Sequence, residues 1–365
     1  DGSPMTGDVD VANNDTTTHT PDWRTLLVGT LGAGGKGYFV LDVTNPTGFA
    51  ADTTKAASLA VLDRTRSTDG SAPDCTLSSL SDAQKTACVT LVTEDRDIGH
   101  ITAAPVRHSA NILRATQITL LNNNRWAVVM GNGYNSANQR PVLLVQYLDG
   151  SKELLRIPAT TDTAGTGKAN DNGLSAPRLV DLNGDERPDI AYAGDNQGNL
   201  WKFDLTSYNA SDWSVAFGGK PLFTAQRPAV YGGSGTELPQ PITVAPTVRA
   251  NDRKKCELDT ATNECKANTT TAVGGMMVAF GTGRNVATED QASTTVQTVY
   301  SVLDNTRYRY RAEASGVPKR LEIHPGKTCS TGDGENCLDV AAPKALGAGV
   351  TAAELLKQTT TEVSG

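Results

Sequence analysis

Three short apolar runs recur in the same order four times along the chain. A small residue plus proline opens the first run: Ser3-Pro4, Ala104-Pro105, Ala176-Pro177 and Ala245-Pro246. The second run is apolar and ends in glycine: Leu26-Leu27-Val28-Gly29, Ala127-Val128-Val129-Met130-Gly131, Ile190-Ala191-Tyr192-Ala193-Gly194 and Met277-Val278-Ala279-Phe280-Gly281. The third ends near an aspartate: Tyr38-Phe39-Val40-Leu41-Asp42, Leu143 through Asp149, Leu200-Trp201-Lys202-Phe203-Asp204 and Val299-Tyr300-Ser301-Val302-Leu303-Asp304. Runs this short, punctuated by glycine and turn residues, predict strands. Their repetition is how the blades of a β-propeller read in sequence. Each blade is a small twisted sheet whose faces are buried only against its neighbours, so several are needed, and variable spacing places insertions in the loops. A β-sandwich would not explain the repetition. Four repeats are fewer than a usual ring closes with, which predicts further divergent or missing blades. One late helix is expected over Ala352-Ala353-Glu354-Leu355-Leu356-Lys357, with Thr351 as its N-cap.

Composition agrees with an all-β reading. The 365 residues include 35 glycines and 17 prolines, and few stretches carry a long helical pattern. The length suits a single large all-β domain over 1–365, with insertions near 51–95, 251–272 and 323–345. Thirty-three basic against 40 acidic side chains leave a formal charge of −7, which argues against a nucleic-acid partner. No apolar run approaches the roughly 18 residues a membrane-spanning helix needs. The chain opens Asp1-Gly2-Ser3-Pro4, without an initiator Met or a signal peptide, and reads as a fragment of a longer protein.

Six cysteines fall as three local couples, Cys75/Cys88, Cys256/Cys265 and Cys329/Cys337, each inside a polar insertion. Zinc spacing is absent, so three disulfides stapling three surface loops is the better reading. Each would contribute about 2–4 kcal/mol against the unfolded chain. Such usage implies an oxidising location, the periplasm or the cell exterior.

The candidate chemistry sits in Asp181-Leu182-Asn183-Gly184-Asp185-Glu186-Arg187-Pro188-Asp189, between two predicted strands. Oxygen-bearing side chains stand at positions 1, 3, 5 and 9 of this loop. Calcium takes roughly six to eight oxygens at about 2.3–2.6 Å, and a short looped chain can supply them from alternate residues. Asp181, Asn183 and Asp185 would coordinate through side chains and Arg187 through its carbonyl. Asp189 would close the shell in place of the twelfth-position Glu of an EF-hand, because Tyr192 occupies that position here. Without a cation, three gathered aspartates would repel one another. The alternative is an acidic Asn-Gly β-turn that binds nothing.

Other motifs fail on context. Gly32-Ala33-Gly34-Gly35-Lys36-Gly37 has dinucleotide-loop spacing, but the strand Tyr38-Phe39-Val40-Leu41 follows where a helix is required, so it reads as a glycine-rich hairpin. His100 and His108 read as turn or surface residues, Tyr192 and Trp201 as packing between blades, and Gly131 through Ser136 as a polar hairpin at the propeller rim. No nucleophile elbow is present, so no catalytic residue is assigned.

Several segments resemble the C-terminal propeller of type IV pilus biogenesis and tip proteins of the PilY/PilC kind. They include Gly34-Gly35-Lys36-Gly37-Tyr38, Leu41-Asp42-Val43-Thr44-Asn45-Pro46 and Trp126 through Ser136. The likeness continues through Asn172-Gly173-Leu174-Ser175, the 181–189 loop, Tyr192-Ala193-Gly194-Asp195, Gly198 through Leu205, Gln240-Pro241-Ile242-Thr243 and Phe280-Gly281-Thr282-Gly283, as far as about residue 305. The resemblance implies a modified quinoprotein-like β-propeller holding one Ca2+ at Asp181, Asn183, Asp185, Arg187 and Asp189. It further implies a non-enzymatic role in pilus assembly, retraction control, twitching motility and adhesion, with calcium as a switch between extension and retraction. Implied partners are pilins or minor pilins and a host or surface receptor. The implied place is the pilus tip or cell surface, reached through the periplasm, in association with the outer membrane.

The large N-terminal region of such proteins and their closing strands are absent from this chain, and no Arg-Gly-Asp triplet occurs. The competing readings are a quinone-dependent periplasmic dehydrogenase-like propeller and a secreted ligand-binding propeller. The first commonly shows adjacent cysteines, and the second repeats its acidic loop in several blades. This chain shows neither feature.

Overall fold

The computed structural model describes residues 2–13, 19–48, 57–65, 73–227 and 238–323, the last with short gaps at 253, 258, 263, 273–274, 294–295, 305, 307 and 312–319. The first blade is an antiparallel sheet of β1 (Met5–Asp10), β2 (Trp23–Thr30), β3 (Tyr38–Asp42) and β4 (Ala60–Asp63), paired in that order. An insertion follows and carries helix α1 (Asp82–Asp95). The second blade pairs β5 (Ile118–Leu120), β6 (Trp126–Gly131), β7 (Val142–Tyr147) and β8 (Leu154–Pro158). The third runs β9 (Arg178–Val180), β10 (Ile190–Gly194), β11 (Asn199–Asp204) and β12 (Ser214–Val215), with β13 (Phe223–Thr224) also on β11.

A small hairpin of β14 (Gln226–Arg227) and β15 (Leu238–Pro239) leads to the fourth blade. There β16 (Thr247–Ala250) pairs with β19 (Met276–Gly281), which pairs with β20 (Val299–Asp304). Between β16 and β19, β17 (Lys254–Lys255) and β18 (Thr271–Ala272) form an inserted hairpin, and β21 (Tyr308–Arg311) with β22 (Arg320–Ile323) follows β20. These are the meandering blades of a β-propeller.

Stacking explains why the strands read as unbroken apolar runs. Side chains alternate across a strand, yet both faces of an inner blade are covered. In the second blade Val128, Met130, Val142 and Leu144 pack with Leu26, Val28, Tyr38 and Val40 of the first. Their neighbours Ala127, Val129, Leu143 and Val145 pack with Ala191, Ala193, Trp201 and Phe203 of the third. The third blade's other face, Ile190, Tyr192 and Leu200, meets Val278, Phe280, Tyr300 and Val302 of the fourth. Strand β20 alternates buried and exposed residues, because its described surroundings cover one face alone.

The glycines that close the second strand of two blades have a steric cause. A Cβ on Gly131 would lie 1.9 Å from the Ser175 carbonyl oxygen, and one on Gly194 would lie 2.2 Å from Ile242 Cγ2. In each case the chain that introduces the following blade crosses directly over the strand end. Among the described residues, polar contacts also bolt blades together. Buried Tyr38 donates to Gln146 Oε1 at 2.7 Å, and buried Tyr192 donates to Asp304 Oδ2 at 2.5 Å.

Disulfides join Cys75 to Cys88 and Cys256 to Cys265 as expected. Cys329, Cys337, the 323–345 insertion beyond Ile323 and the expected helix at 352–357 lie outside the described residues. Helix α1 was not legible as an amphipathic pattern, since most of its residues are exposed. What fixes it is a capping box, Ser81 accepting from the Gln84 N–H and Gln84 returning a bond to the Ser81 N–H, together with the Cys75–Cys88 bridge.

Three expectations need correction. Ala104-Pro105 does not itself begin a blade strand; β5 starts only at Ile118, beyond a loop closed by the Arg107–Ala115 bridge. His100 is buried rather than exposed: it stacks on Tyr134 with ring centroids 5.2 Å apart, and its Nδ1 lies 3.1 Å from the Gly32 carbonyl. The segment after Gly131 does link β6 to β7, but it turns inward. Asn132 is fully buried, donating to the Asp97 and Arg140 carbonyls and accepting from the Val142 and Leu174 N–H groups.

Candidate metal centre

The acidic loop leaves the third blade between β9 and β10, the strand-to-strand position expected. Its base is tied down at both ends: the Asp189 N–H donates to the Val180 carbonyl, and Leu205 N–H to the Asp189 carbonyl. Between these anchors the chain turns twice through the left-handed region, at Gly184 (φ 81°) and Glu186 (φ 67°). Those turns bring alternate oxygens inward. Asp181 Oδ1 accepts from the Asn183 and Gly184 N–H groups at 3.1 and 2.7 Å, and its Oδ2 from Glu186 N–H at 2.8 Å. Asn183 Oδ1 accepts from Asp185 N–H at 2.9 Å, and Asp185 Oδ1 from Arg187 N–H at 3.0 Å. Asn183 Nδ2 donates to Asp185 Oδ2 at 3.3 Å.

Asp189 differs from the other two aspartates. Its side chain is buried, and Oδ2 accepts from Leu182 N–H at 2.8 Å, reaching back across the whole loop. Burial pushes its pKa up to about 6, against the hydrogen bonds from Leu182 and Asn122, and the negative charges of Asp185 and Asp181 add to the rise. Asp189 therefore feels the charges of the other two aspartates, the electrostatic situation a cation relieves.

Among the described residues no three His, Cys, Asp or Glu side chains are gathered closely enough to hold an ion. The donor set nonetheless suits a hard cation. Each of the four side chains offers oxygen, and a carboxylate has about four lone-pair sites, more than the backbone donors named here occupy. Arg187 was assigned through its carbonyl; its guanidinium turns away from the loop and donates to Asn124 Oδ1 at 3.1 Å.

One group at the site had no signal in the sequence. Buried Asn122, on the β5–β6 turn of the second blade, reaches the foot of the loop and donates toward Asp189 Oδ1 at 3.2 Å. It is 67 residues away in sequence, so neither spacing nor motif could connect it.

A separate hollow lies where the opening strands of the blades converge. Ser3, Gln117, Tyr134, Ser175, Asn196 and Thr243 contribute polar groups there, and none of its lining residues carries a formal charge at neutral pH. Tyr192 and Trp201 are fully buried between blades, as expected. Trp201 Nε1 donates to Asp195 Oδ2 at 2.7 Å, an internal bond rather than a ligand platform.

A family model described as the PilY1 beta-propeller domain matches residues 110–320. The type IV pilus biogenesis factor PilY1 of Pseudomonas aeruginosa strain PAO1 is 30% identical over 339 residues, covering 88% of this chain and 22% of that protein. A PilY1 homolog of Xylella fastidiosa is 30% identical over 295 residues, covering 78% of this chain and 15% of its own. The chain thus spans about a fifth of the length of these curated relatives. The crystal structure of the Pseudomonas aeruginosa PilY1 C-terminal domain superposes with a TM-score of 0.54 at 28% identity, covering 84% of this chain and 49% of that one.

Proposed function

The chain belongs to the PilY1 β-propeller family, and from that premise we propose that it is the calcium-binding propeller of a type IV pilus biogenesis factor. It acts without catalysis, in pilus assembly and control of retraction, and hence in twitching motility and adhesion. Its partners are pilins or minor pilins and a surface or host receptor, met at the pilus tip or cell surface after export through the periplasm, with the outer membrane close by.

The observation that carries the calcium reading is the loop itself. Asp181, Asn183, Asp185 and Asp189 carry side-chain oxygen on one continuous peptide, and the last is a buried carboxylate whose pKa the negative charges of Asp185 and Asp181 help to raise. Calcium would supply the positive charge that keeps buried Asp189 ionised beside its acidic neighbours. The residues' own part is to be held in register: backbone N–H groups orient each carboxylate before any ion arrives, and Asp189 anchors the shell to the blade. The family to which the chain belongs, whose curated relatives are described as pilus biogenesis factors, supports a role without catalysis. Two disulfides support export to an oxidising compartment. Among the described residues no helix is long and apolar enough to cross a membrane.

Calorimetric titration of the chain with calcium tests this directly. One ion per chain is expected, with uptake abolished in Asp185→Ala while the β circular-dichroism spectrum is kept. Absence of uptake by the unaltered chain would falsify the site. Substrate-dependent reduction of a dye on adding a quinone cofactor would overturn the non-enzymatic reading.

A further inference from the structure

The β5–β6 turn of the second blade is built against the acidic loop of the third. Asn122 is 4% exposed, and its side-chain amide lies 3.2 Å from the Pro188 carbonyl, 3.0 Å from the Leu205 carbonyl and 3.2 Å from Asp189 Oδ1. Two amide hydrogens thus serve three acceptors. Two of these are backbone groups that fix where the loop rejoins the sheet. The third is the carboxylate assigned to close the cation's shell.

The next residue but one adds a second link: Asn124, at φ 60°, accepts from the Arg187 guanidinium through Oδ1. The Asn124 carbonyl accepts from Asn13 Nδ2 of the first blade at 2.6 Å. The turn itself is held rigid by its own blade. Leu121 and Arg125 close it through the backbone, Asn123 donates to the Tyr147 hydroxyl at 2.8 Å, and Arg125 pairs with buried Asp149 at 2.6 Å. A fixed turn that contacts both ends of residues 187–189 and a neighbouring blade is placed to orient the loop and to sense it.

We propose that Asn122 is a positioning residue for the cation loop, and that the Asn122–Asn124 turn transmits the loop's occupancy to the first two blades. This rests on the calcium reading above. Asn122 touches Asp189, so its amide constrains the carboxylate's orientation before binding. When Asp189 engages a cation, the sharing of the Asn122 amide among its three acceptors shifts, and the turn feels the change. Partners that hold a metal's ligands commonly matter by 10- to 100-fold in affinity.

The test uses the whole chain, calcium chloride and two readouts: titration calorimetry and amide hydrogen exchange. Asn122→Ala should weaken calcium affinity by roughly 10- to 100-fold. Val89→Ala, on the exposed face of α1 and away from this turn, should leave affinity within about twofold of the unaltered chain, since it touches neither the turn nor the loop. Calcium should slow exchange across residues 121–125 in the unaltered chain and not in Asn122→Ala, a response that a merely structural role would not give. Asn124→Gly keeps the left-handed turn while deleting the Arg187 contact, and should weaken affinity several-fold. It carries the test if Asn122→Ala does not fold. Unaltered affinity in the asparagine variants, with calcium still bound by the parent chain, overturns the positioning role. Unchanged exchange at 121–125 overturns the transmission. Failure of the parent chain to bind calcium overturns both this inference and the reading beneath it, and is told apart by the parent titration alone.

Discussion

Asp97 shows how single buried carboxylates organise this molecule away from the loop. It has no exposed surface, and it accepts from Asn138 at 2.7 Å, from Arg140 through two bonds of 2.9 Å, and from Arg156 at 2.7 Å. Burial works to raise its pKa; hydrogen bonds from Arg140 and Asn138 and the charges of Arg140 and Arg156 outweigh that and hold it below its ordinary 3.8. A carboxylate with a depressed folded pKa contributes stability that is present above its unfolded pKa and lost as pH falls through the folded one. Asp97→Asn should therefore be less stable than the parent chain at neutral pH. The gap should close on acidification below about pH 4, followed by thermal melts across that range. A gap that persists undiminished at pH 2 would sink the assignment. Asp195 is a second such hub, accepting from Gln197 and Asn199 N–H groups and from the Asn172, Asn199 and Trp201 side chains. The family-specific string from Tyr192 to Leu205 thus owes part of its composition to an internal polar knot.

At the scale of elements, the strand-closing glycines were plain in the sequence and their reason was not. Gly131 sits at the end of β6 beneath the chain that opens the third blade, where Ser175 and Leu174 carbonyl oxygens would meet a Cβ at 1.9 and 2.4 Å. Gly281 holds the same position in the fourth blade, and among the described residues nothing lies within 4 Å of where its Cβ would be. Gly131→Ala should accordingly destabilise by roughly 1–3 kcal/mol through forced displacement of backbone, whereas Gly281→Ala should be near neutral. Urea denaturation of both variants separates a steric requirement from a general strand-end preference for glycine. Equal effects would refute the crossing as the cause. Element boundaries followed the apolar runs closely: β3 and β20 coincide with the predicted third strands, and β10 with a predicted second strand. Strand β5 was misplaced because the Ala104-Pro105 pair looks like the other blade openings locally, while its distance from β6 is set by an insertion whose pairing is not local.

At the scale of the whole molecule, neighbouring blades are joined by buried polar groups that the repeat pattern conceals. Lys202, between Trp201 and Phe203 in a strand of the third blade, is fully buried and bonds Asp304 of the fourth at 2.6 Å. The Tyr192, Phe217 and Tyr308 rings surround its ammonium at 5.7, 5.4 and 5.0 Å from their centroids. Burial lowers the Lys202 pKa while Asp304 opposes the shift; Asp304 in turn is held below its ordinary value, burial being outweighed chiefly by Lys202. Removing one member strands the other charge, which costs about 3–5 kcal/mol. Lys202→Met should lower unfolding free energy by that order, and adding Asp304→Asn should recover part of the loss. The measurement is a double-mutant cycle in denaturant; strictly additive losses would show that the two residues do not act as a pair.

By itself the sequence determined most of the segments that become strands, that they repeat as blades, where two disulfides staple insertions, and which nonapeptide carries side-chain oxygen at alternate positions. Those are local properties: apolar period, turn residues, spacing along a few bonds. The tertiary structure decided what lies on each face of each blade, and so why the strands lack alternation, why glycine ends β6, and why a lysine can be buried in β11. It also decided that Asp189 is buried while Asp181 and Asp185 are exposed, and that an asparagine from another blade stands at its side. Such relations depend on stacking one sheet upon the next. Stacking joins residues by distance in space, which a linear pattern does not record.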